Sequence, residues 1–192
     1  MKMPEERILP LASCQSKEIT VMVKLVEPQS RYLQSYMEAF EEYKAHNVTA
    51  YGLSDAKSYN VFEKFENYRE EKNLKPDRVG AHFFWLVDDE KDYFIGEISI
   101  RHTLNSVLER YGGHIGYGIR FGEWNKGYGT AMLKAALEEA KKIGLTKVLI
   151  TCDDNNMGSA KVMEKNGFVL IDRIENHING RPFVTRRYWK ML

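Results

Sequence analysis

The chain has 192 residues, a length that fits one domain with a full hydrophobic core. Its 28 basic and 27 acidic residues leave a formal net charge of +1, so bulk charge indicates no nucleic-acid partner. No apolar run reaches the roughly 18 residues of a membrane span, and Cys14 and Cys152 give no disulfide framework, so the sequence predicts a cytoplasmic protein without membrane association.

The N-terminal half predicts a tail followed by mixed structure. Residues 1–18 are expected to be the tail, and residues 19–192 a single domain. A strand is predicted over 19–26. A helix is predicted over 27–45, because its second residue is a proline and proline fits the first turn. A second helix is predicted over 58–72, where apolar residues recur at helical spacing.

A hairpin with strands over 79–87 and 92–101 is predicted next, around a turn of charged residues. Alternation along the second strand gives a polar face of four residues: Tyr93, Glu97, Ser99 and Arg101. The simplest interpretation of Glu97 and Arg101 is a solvated charged set. A short helical or loop insert is expected at 104–111.

The strand predicted over 114–121 has one face with almost no side chains at its middle. The alternation places Ile115, Tyr117, Ile119 and Phe121 on one side and His114, Gly116, Gly118 and Arg120 on the other. A buried strand is also predicted over 147–152, after an amphipathic helix that ends near Gly144. This strand, loop, helix and strand are compatible with a right-handed parallel crossover.

The loop between the first of these strands and its helix has the sequence WNKGYGT, residues 124–130. Its two glycines let the backbone approach a ligand, and the first N–H groups of the helix have no intrahelical acceptor. Such a loop can bind a pyrophosphate, although a glycine-rich turn that only starts a helix is the alternative interpretation. Further along, residues 153–168 predict a short capped helix, and Asn179-Gly180 predicts a C-terminal hairpin.

Together the loop and the capped helix resemble the GNAT superfamily of N-acetyltransferases, with the best match over residues 92–190. The matching positions are Gly127, Gly129, Asn156, Ser159, Gly167 and Phe168. The resemblance implies an α/β fold with a mixed, mostly antiparallel central sheet of about six or seven strands and helices on both faces. It also implies that the strands on either side of the crossover are parallel and splayed.

The resemblance implies acetyl-CoA as co-substrate, no metal, and direct attack by the primary amine of a small molecule or peptide in a ternary complex. The pantetheine arm would bind the backbone around residues 119–121, in the cleft between the two splayed strands. The residues implied to contact acetyl-CoA are Ile119, Arg120, Phe121, Trp124, Asn125, Lys126, Gly127, Tyr128, Gly129, Thr130, Asn156 and Ser159.

Two positions depart from the family pattern. Trp124 stands where the loop usually begins with Arg or Gln, so Lys126 or Arg120 is expected to supply charge to the pyrophosphate. Met163 stands where many relatives have the tyrosine that protonates the departing thiolate. Water, Ser159 or Cys152 could replace that acid, although Cys152 is more simply a small core residue.

The general base has no diagnostic motif. Glu97 and His114, on adjacent predicted strands, are the candidates, and each taken singly is more simply a surface or strand-edge residue. Ser159 is the third candidate catalytic residue. The side chains expected near the acceptor are Arg101, His102, Tyr51, Tyr59 and Phe62, the last three of which packing also explains.

Three functional interpretations follow from the sequence. An N-acetyltransferase would release CoA only when an amine is present, whereas a catalytically degenerate acyl-CoA-binding regulatory module would bind acetyl-CoA without turnover. A nucleotide-binding or structural protein is the third, and it is disfavoured because Gly127 is followed by Tyr128 and position 132 is a methionine. The oligomeric state is left open, with a homodimer as one alternative.

Overall fold

The computed structural model describes residues 8–9, 23–48, 53–58, 60–178 and 181–192. Eight strands lie within these ranges: β1 (Ile8–Leu9), β2 (Val23–Val26), β3 (Ala81–Asp88), β4 (Tyr93–Arg101), β5 (Ile115–Ile119), β6 (Lys147–Asp153), β7 (Val169–Ile178) and β8 (Arg181–Met191). They form a five-stranded sheet in the order β1-β2-β3-β4-β5 and a three-stranded sheet in the order β6-β8-β7. All pairings among these strands are antiparallel.

Helices connect the strands and cover both faces of the larger sheet. They are α1 (Leu33–Ala45), α2 (Val61–Arg69), α3 (Ser106–Arg110), α4 (Tyr128–Lys142) and α5 (Met157–Lys165), with 3-10 turns at Ser30–Tyr32 and Phe121–Glu123. The predicted α/β fold class is confirmed, although the strands divide between two sheets and number eight. None of the helices in the described ranges is long and apolar enough to cross a membrane.

Several predicted boundaries in the N-terminal half shift. The helix predicted over 27–45 becomes α-helical only at Leu33, after a 3-10 turn. The second helix begins at Val61, because the side chain of Asn60 accepts two N–H groups of the first turn and caps the helix there. Ile8–Leu9, inside the expected tail, pairs with β2.

The C-terminal hairpin is present as β7 and β8, whose pairing extends over most of both strands. The Asn179-Gly180 turn that predicted this hairpin lies outside the described residues. Cys14 and the rest of the expected tail also lie outside them.

Alternation along β3 divides the core into two clusters. Trp85 and Val87 pack with α1 and α2, whereas Phe84 and Leu86 pack with α4 on the opposite face. Trp85 is fully buried and stacks on Tyr36 of α1, with ring centroids 4.7 Å apart. A bulge in the pairing of β3 with β4, at Leu86/Val87, interrupts the alternation along β4: Phe94 faces α1 and α2 and Ile95 faces α4, whereas beyond the bulge Glu97 pairs with Trp85 and Ile98 packs with α4.

The two sheets meet at His114, where the strands on either side of the predicted crossover belong to different sheets. The backbone N–H of His114 donates to the carbonyl of Leu149 at 2.7 Å, and the N–H of Leu149 donates to Nδ1 of the His114 ring at 3.0 Å. The imidazole therefore takes the place of a backbone acceptor, and no ladder joins β5 to β6. The unit of strand, helix and strand is present, but its two strands separate beyond this junction.

Arg120, the residue after β5, joins this strand to α1. Its guanidinium donates to Glu42 at 2.6 and 2.8 Å and to the hydroxyl of Ser35 at 2.9 Å. It also lies 4.3 Å from the centroid of the Tyr93 ring, and the residue is only 6% exposed. A buried cation with this many partners fixes the position of α1 on the sheet.

We expect the Arg120→Met variant to lose about 2 kcal/mol of the free energy of unfolding, because Ser35 and Glu42 lose a charged hydrogen-bond donor. Urea denaturation followed by circular dichroism measures this loss. The matched control is Arg173→Met, which removes an exposed pair with Asp154 and should change stability by less than about 0.5 kcal/mol. Equal losses in both variants would contradict the role assigned to Arg120.

Candidate active site

The start of α4 has the geometry of an anion cradle. Gly127 caps the helix in a left-handed conformation with φ 86°, and Asn125 also has a positive φ of 63°. In the part of the chain that the structure describes, the N–H groups of residues 125–129 donate to no protein acceptor. Successive free N–H groups at the positive end of a helix dipole suit a phosphate or pyrophosphate.

The two loop glycines have different roles. A side chain at Gly127 would meet nothing within 4 Å, so this glycine is required only by its backbone conformation. A Cβ at Gly129 would lie 3.2 Å from Cγ2 of Val162 and 3.7 Å from Cγ1 of Ile119. Gly129 therefore also allows α4 to pack closely on α5 and β5, a role that the sequence motif did not reveal.

Of the two residues expected to supply positive charge beside the cradle, Arg120 and Lys126, only Lys126 is accessible. The guanidinium of Arg120 is buried against α1 and is not available to a phosphate, which corrects its expected role as a charge donor. Lys126 is half exposed and pairs with Glu123 at 3.0 Å. Lys126 is therefore the cation of the loop that a pyrophosphate could recruit.

The Trp124 side chain hydrogen-bonds to the backbone segment where pantetheine was expected to bind. Its indole Nε1 donates to the carbonyl of Ile119 at 2.6 Å, and the hydroxyl of Tyr43 donates to the same oxygen. The indole is 43% exposed and packs against Phe121, which lies in the 3-10 turn rather than in the strand. A ligand that binds the Ile119 carbonyl must therefore displace the indole or the Tyr43 hydroxyl, since a carbonyl oxygen has two lone pairs.

Residues of α5 meet β5 through Ser159. The side chain of Asn156 caps α5 by accepting the N–H of Ser159 at 3.0 Å. The Ser159 hydroxyl in turn lies 2.8 Å from the hydroxyl of Tyr117 on β5. Burial raises the pKa of Tyr117 to about 12, so this phenol keeps its proton at neutral pH.

Tyr117 is a functional candidate that motif reasoning missed. Met163, at the usual tyrosine position, is fully buried in the core, and Tyr117 brings a phenol to the same helix from the opposite strand. The signal was present in the alternation of the strand, which already placed Tyr117 on the face of Ile115 and Ile119. Cys152 is a weaker candidate, since a thiol is a weak hydrogen-bond donor and its Sγ lies 3.9 Å from the carbonyl oxygen of Asn156.

Glu97 is buried, which corrects its interpretation as a solvated charge. It is 1% exposed and lies on the face that α1 and α2 cover, directly opposite Gly118 of β5. Oε2 accepts the indole N–H of Trp85 at 2.9 Å, and the Tyr36 side chain lies close enough to the carboxyl to lower its pKa. Burial raises the pKa of Glu97 to about 7, although the Trp85 hydrogen bond, the Lys64 charge and Tyr36 partly oppose the shift.

His114 is 7% exposed and serves the junction between the sheets rather than a strand edge. Its Nδ1 already accepts the N–H of Leu149, and the ring meets Trp189 edge to face at 6.0 Å. Burial, with Arg101 and Lys147 nearby, lowers its pKa to about 4, so the ring is neutral at pH 7. The structure thus separates the two candidate bases by environment.

The residues expected near the acceptor are only partly brought together. Arg101 shares the face of Glu97, and Phe62 of α2 lies 6.0 Å from the Trp85 ring. His102 instead bonds to His82 at 2.8 Å and lines a cavity near the end of α4, on the opposite face. Tyr51 and Tyr59 lie outside the described residues.

The family model of the acetyltransferase (GNAT) domain matches residues 25–169, more than half of the chain. The chain belongs to the GNAT acetyltransferase family. The membership confirms the family resemblance and the predicted class of enzyme, an acetyl-CoA-dependent acetyltransferase. No match was found among curated proteins. No group of three or more His, Cys, Asp or Glu side chains in the described ranges is placed to hold a metal ion.

Solved structures share this GNAT fold at low sequence identity. A ribosomal L7/L12 alpha-N-protein acetyltransferase in complex with coenzyme A has 15% identity and a TM-score of 0.65, covering 91% of this chain and 97% of that one. The ribosomal-protein-S5-alanine acetyltransferase from Vibrio fischeri has 18% identity and a TM-score of 0.66, with coverages of 88% and 92%. The microcin C7 self-immunity acetyltransferase in complex with acetyl-CoA and AMP has 17% identity, a TM-score of 0.66 and the same coverages.

The cradle predicts a difference between two glycine variants. Gly127 and Gly144 both have left-handed backbones and free space for a side chain, but Gly144 ends α4 far along the helix from the cradle. Alanine at either position should cost about 1 kcal/mol of stability. Only Gly127→Ala should weaken acetyl-CoA binding, by about tenfold or more, because it tilts N–H groups that bind a charged ligand. Calorimetric titration of acetyl-CoA compares them, and equal affinities would refute the cradle.

Proposed function

We propose that the protein transfers the acetyl group of acetyl-CoA to the α-amine of a peptide or protein, by direct attack in a ternary complex. The observation that carries the proposal is Glu97, a buried carboxyl with a pKa near 7 and a glycine opposite it on β5. A group with these properties can accept a proton at neutral pH.

Acetyl-CoA would bind along the opening between β5 and β6. In this proposal the N–H groups of residues 125–129 hold the pyrophosphate, and Lys126 adds charge when it leaves Glu123. The pantetheine arm takes the Ile119 carbonyl from the indole of Trp124. Asn156 acts through α5, because its side chain orients the turn that carries Ser159.

The reaction would be one displacement through a tetrahedral intermediate. The amine nitrogen forms a bond to the thioester carbonyl carbon, and the bond between that carbon and sulfur breaks. Glu97 takes the proton that the nitrogen loses, directly or through a water molecule. The Tyr117 hydroxyl donates a hydrogen bond to the departing thiolate, and Ser159 holds that hydroxyl in position.

A peptide α-amine is favoured as acceptor by the names of the structural neighbours. One is described as acting on the N-terminal serine of ribosomal protein L7/L12, and another is named for alanine of ribosomal protein S5. An α-amine is also easier to deprotonate than a lysine side chain, since its ordinary pKa is about 8 rather than about 10. We further propose a reducing, cytoplasmic location, consistent with the free thiol of Cys152.

An acyl-CoA-binding module without turnover is the second candidate. It is favoured by Met163, whose burial leaves the usual tyrosine position without an acid, and by the indole that covers the Ile119 carbonyl. The discriminating measurement is CoA release from acetyl-CoA with and without a panel of peptide amines. Tight binding of acetyl-CoA without amine-dependent release of CoA would favour the binding module over the enzyme.

The pH profile of turnover tests Glu97 as the base. Because the ionised carboxylate is the active form, kcat/KM should rise with pH and level off above a pKa of about 7. In Glu97→Gln this limb should disappear and kcat should fall about 10²-fold or more. A limb centred near the pKa of about 4 expected for His114 would transfer the role to that residue.

The same carboxyl makes stability depend on pH. Its folded pKa of about 7 exceeds the ordinary value of 4.5, so the folded state keeps a proton that the unfolded state has lost. The free energy of unfolding should therefore fall by up to about 3 kcal/mol as pH rises through this window. Glu97→Gln should flatten that slope in urea titrations at fixed pH values. An unchanged slope would contradict the buried, proton-binding Glu97.

The Tyr117→Phe variant tests the thiolate partner. We expect kcat to fall by about tenfold to a hundredfold with little change in the KM for acetyl-CoA, because the hydrogen bond strengthens only as negative charge develops on sulfur. The matched control is Tyr188→Phe on β8, which removes the hydroxyl of a buried tyrosine that donates to Glu164 of α5. Equal turnover in both variants would exclude Tyr117 from the chemistry.

A further inference from the structure

Arg101 carries a partly buried charge that no acidic side chain in the described ranges neutralises. Its Nη1 donates to the carbonyl oxygens of Gly112 and Gly113 at 3.0 and 2.8 Å. No carboxylate within the described ranges forms an ion pair with it, and the neighbouring charged group is Arg78. Burial therefore lowers the pKa of the guanidinium. Buried cations normally have an anionic partner, because an unpaired charge is costly away from water.

The position of this guanidinium relates it to the proposed base. Arg101 and Glu97 are four residues apart on β4 and share the face toward α1 and α2, so their Cα atoms are about 13 Å apart. Ser99 lies between them on the same face. Opposite Ser99, Gly116 of β5 has no side chain, and a Cβ there would lie 3.4 Å from both Nη2 of Arg101 and the Ser99 hydroxyl.

Lys64 of α2 adds a second positive charge on the face of β4 that α1 and α2 cover. Lys64 of α2 lies 5.8 Å from the Phe83 ring centroid and 6.0 Å from that of Tyr68, and its charge lowers the pKa of Glu97. Tyr68 in turn lies close enough to influence Arg101. The acceptor face therefore has a proton acceptor at one end and a cation at the other. This arrangement suits an acceptor with an amine and an anionic group at a matching separation.

We propose that Arg101 binds an acidic side chain of the acceptor peptide, within its first four residues, and thereby selects acidic N-terminal sequences. The inference rests on the proposed function, because it needs the α-amine to be held beside Glu97. An extended peptide advances about 3.3 Å per residue, so a carboxylate on the second to fourth residue reaches the guanidinium when the amine is at the base. Nε and Nη2 are the donors left for it, since Nη1 already holds two carbonyls.

The structural alternative is that Arg101 only closes the turn at Gly112 and Gly113. In that case its removal would lower stability but leave the relative affinities of different peptides unchanged. Selectivity between peptides of different charge is therefore the informative readout, since a structural role does not affect it.

The test uses three dye-labelled octapeptides that differ only at the third residue, which is Glu, Gln or Lys. Their affinities for the full chain saturated with CoA are measured by fluorescence anisotropy, without turnover. We expect the wild-type chain to bind the Glu peptide about tenfold more tightly than the Gln peptide, the effect of one charge-assisted hydrogen bond. The Lys peptide should bind most weakly.

Two variants assign the preference to the guanidinium. Arg101→Met should bind the Glu and Gln peptides equally, whereas Arg101→Lys, which keeps the charge, should retain part of the preference. Unchanged acetyl-CoA affinity shows that a variant is folded. If Arg101→Met does not fold, the wild-type peptide series and Arg101→Lys still decide the question.

Equal affinities of the wild-type chain for all three peptides, or a preference that survives in Arg101→Met, would overturn the proposal. Failure of the Glu peptide to bind would also overturn it. The proposed function is judged separately, by acetyl-CoA binding and by amine-dependent CoA release. A chain that turns over all three peptides with equal KM keeps its function and loses the acidic preference.

Discussion

The hydrogen bonds between His114 and Leu149 are the constraint on which the site depends. The His114 ring nitrogen accepts the N–H of Leu149, which a backbone carbonyl would accept if β5 and β6 paired as one sheet. The two sheets are therefore hydrogen-bonded to each other at His114 and separate beyond it. The separation leaves the far part of β5 without a partner on one side. The cradle, the Tyr117 hydroxyl and the glycine opposite Glu97 all lie along that part of the strand or directly after it.

The pairing of β4 with β5 then places the two proposed catalytic groups in different environments. Tyr117 lies on the face that packs on α4, and Glu97 on the face that α1 and α2 cover. A shift of register by one residue would exchange these faces and bury the carboxyl against the α4 core. Accurate pairing of β4 with β5 is therefore as necessary to the proposed chemistry as the side chains themselves.

Local patterns predicted the elements near the site well. The loop glycines, the Asn156 cap and the helix after the loop follow from short-range rules, and the structure has each of them. Contacts between distant parts of the chain were not predictable in this way. Arg120 meets Glu42 from 78 positions away, and Tyr117 meets Ser159 from 42. The burial of Glu97 depends likewise on helices whose docking no strand pattern encodes.

The hydrogen bond from the Trp124 indole to the Ile119 carbonyl bears on how tightly the proposed site can hold CoA. A side chain tethered five residues away from its acceptor competes with any ligand for that oxygen at a high effective concentration. If the pantetheine arm takes this carbonyl as proposed, the competing indole lowers the affinity for the cofactor and hastens the departure of CoA. In that proposal Trp124 is an internal competitor that weakens CoA binding and speeds its exchange.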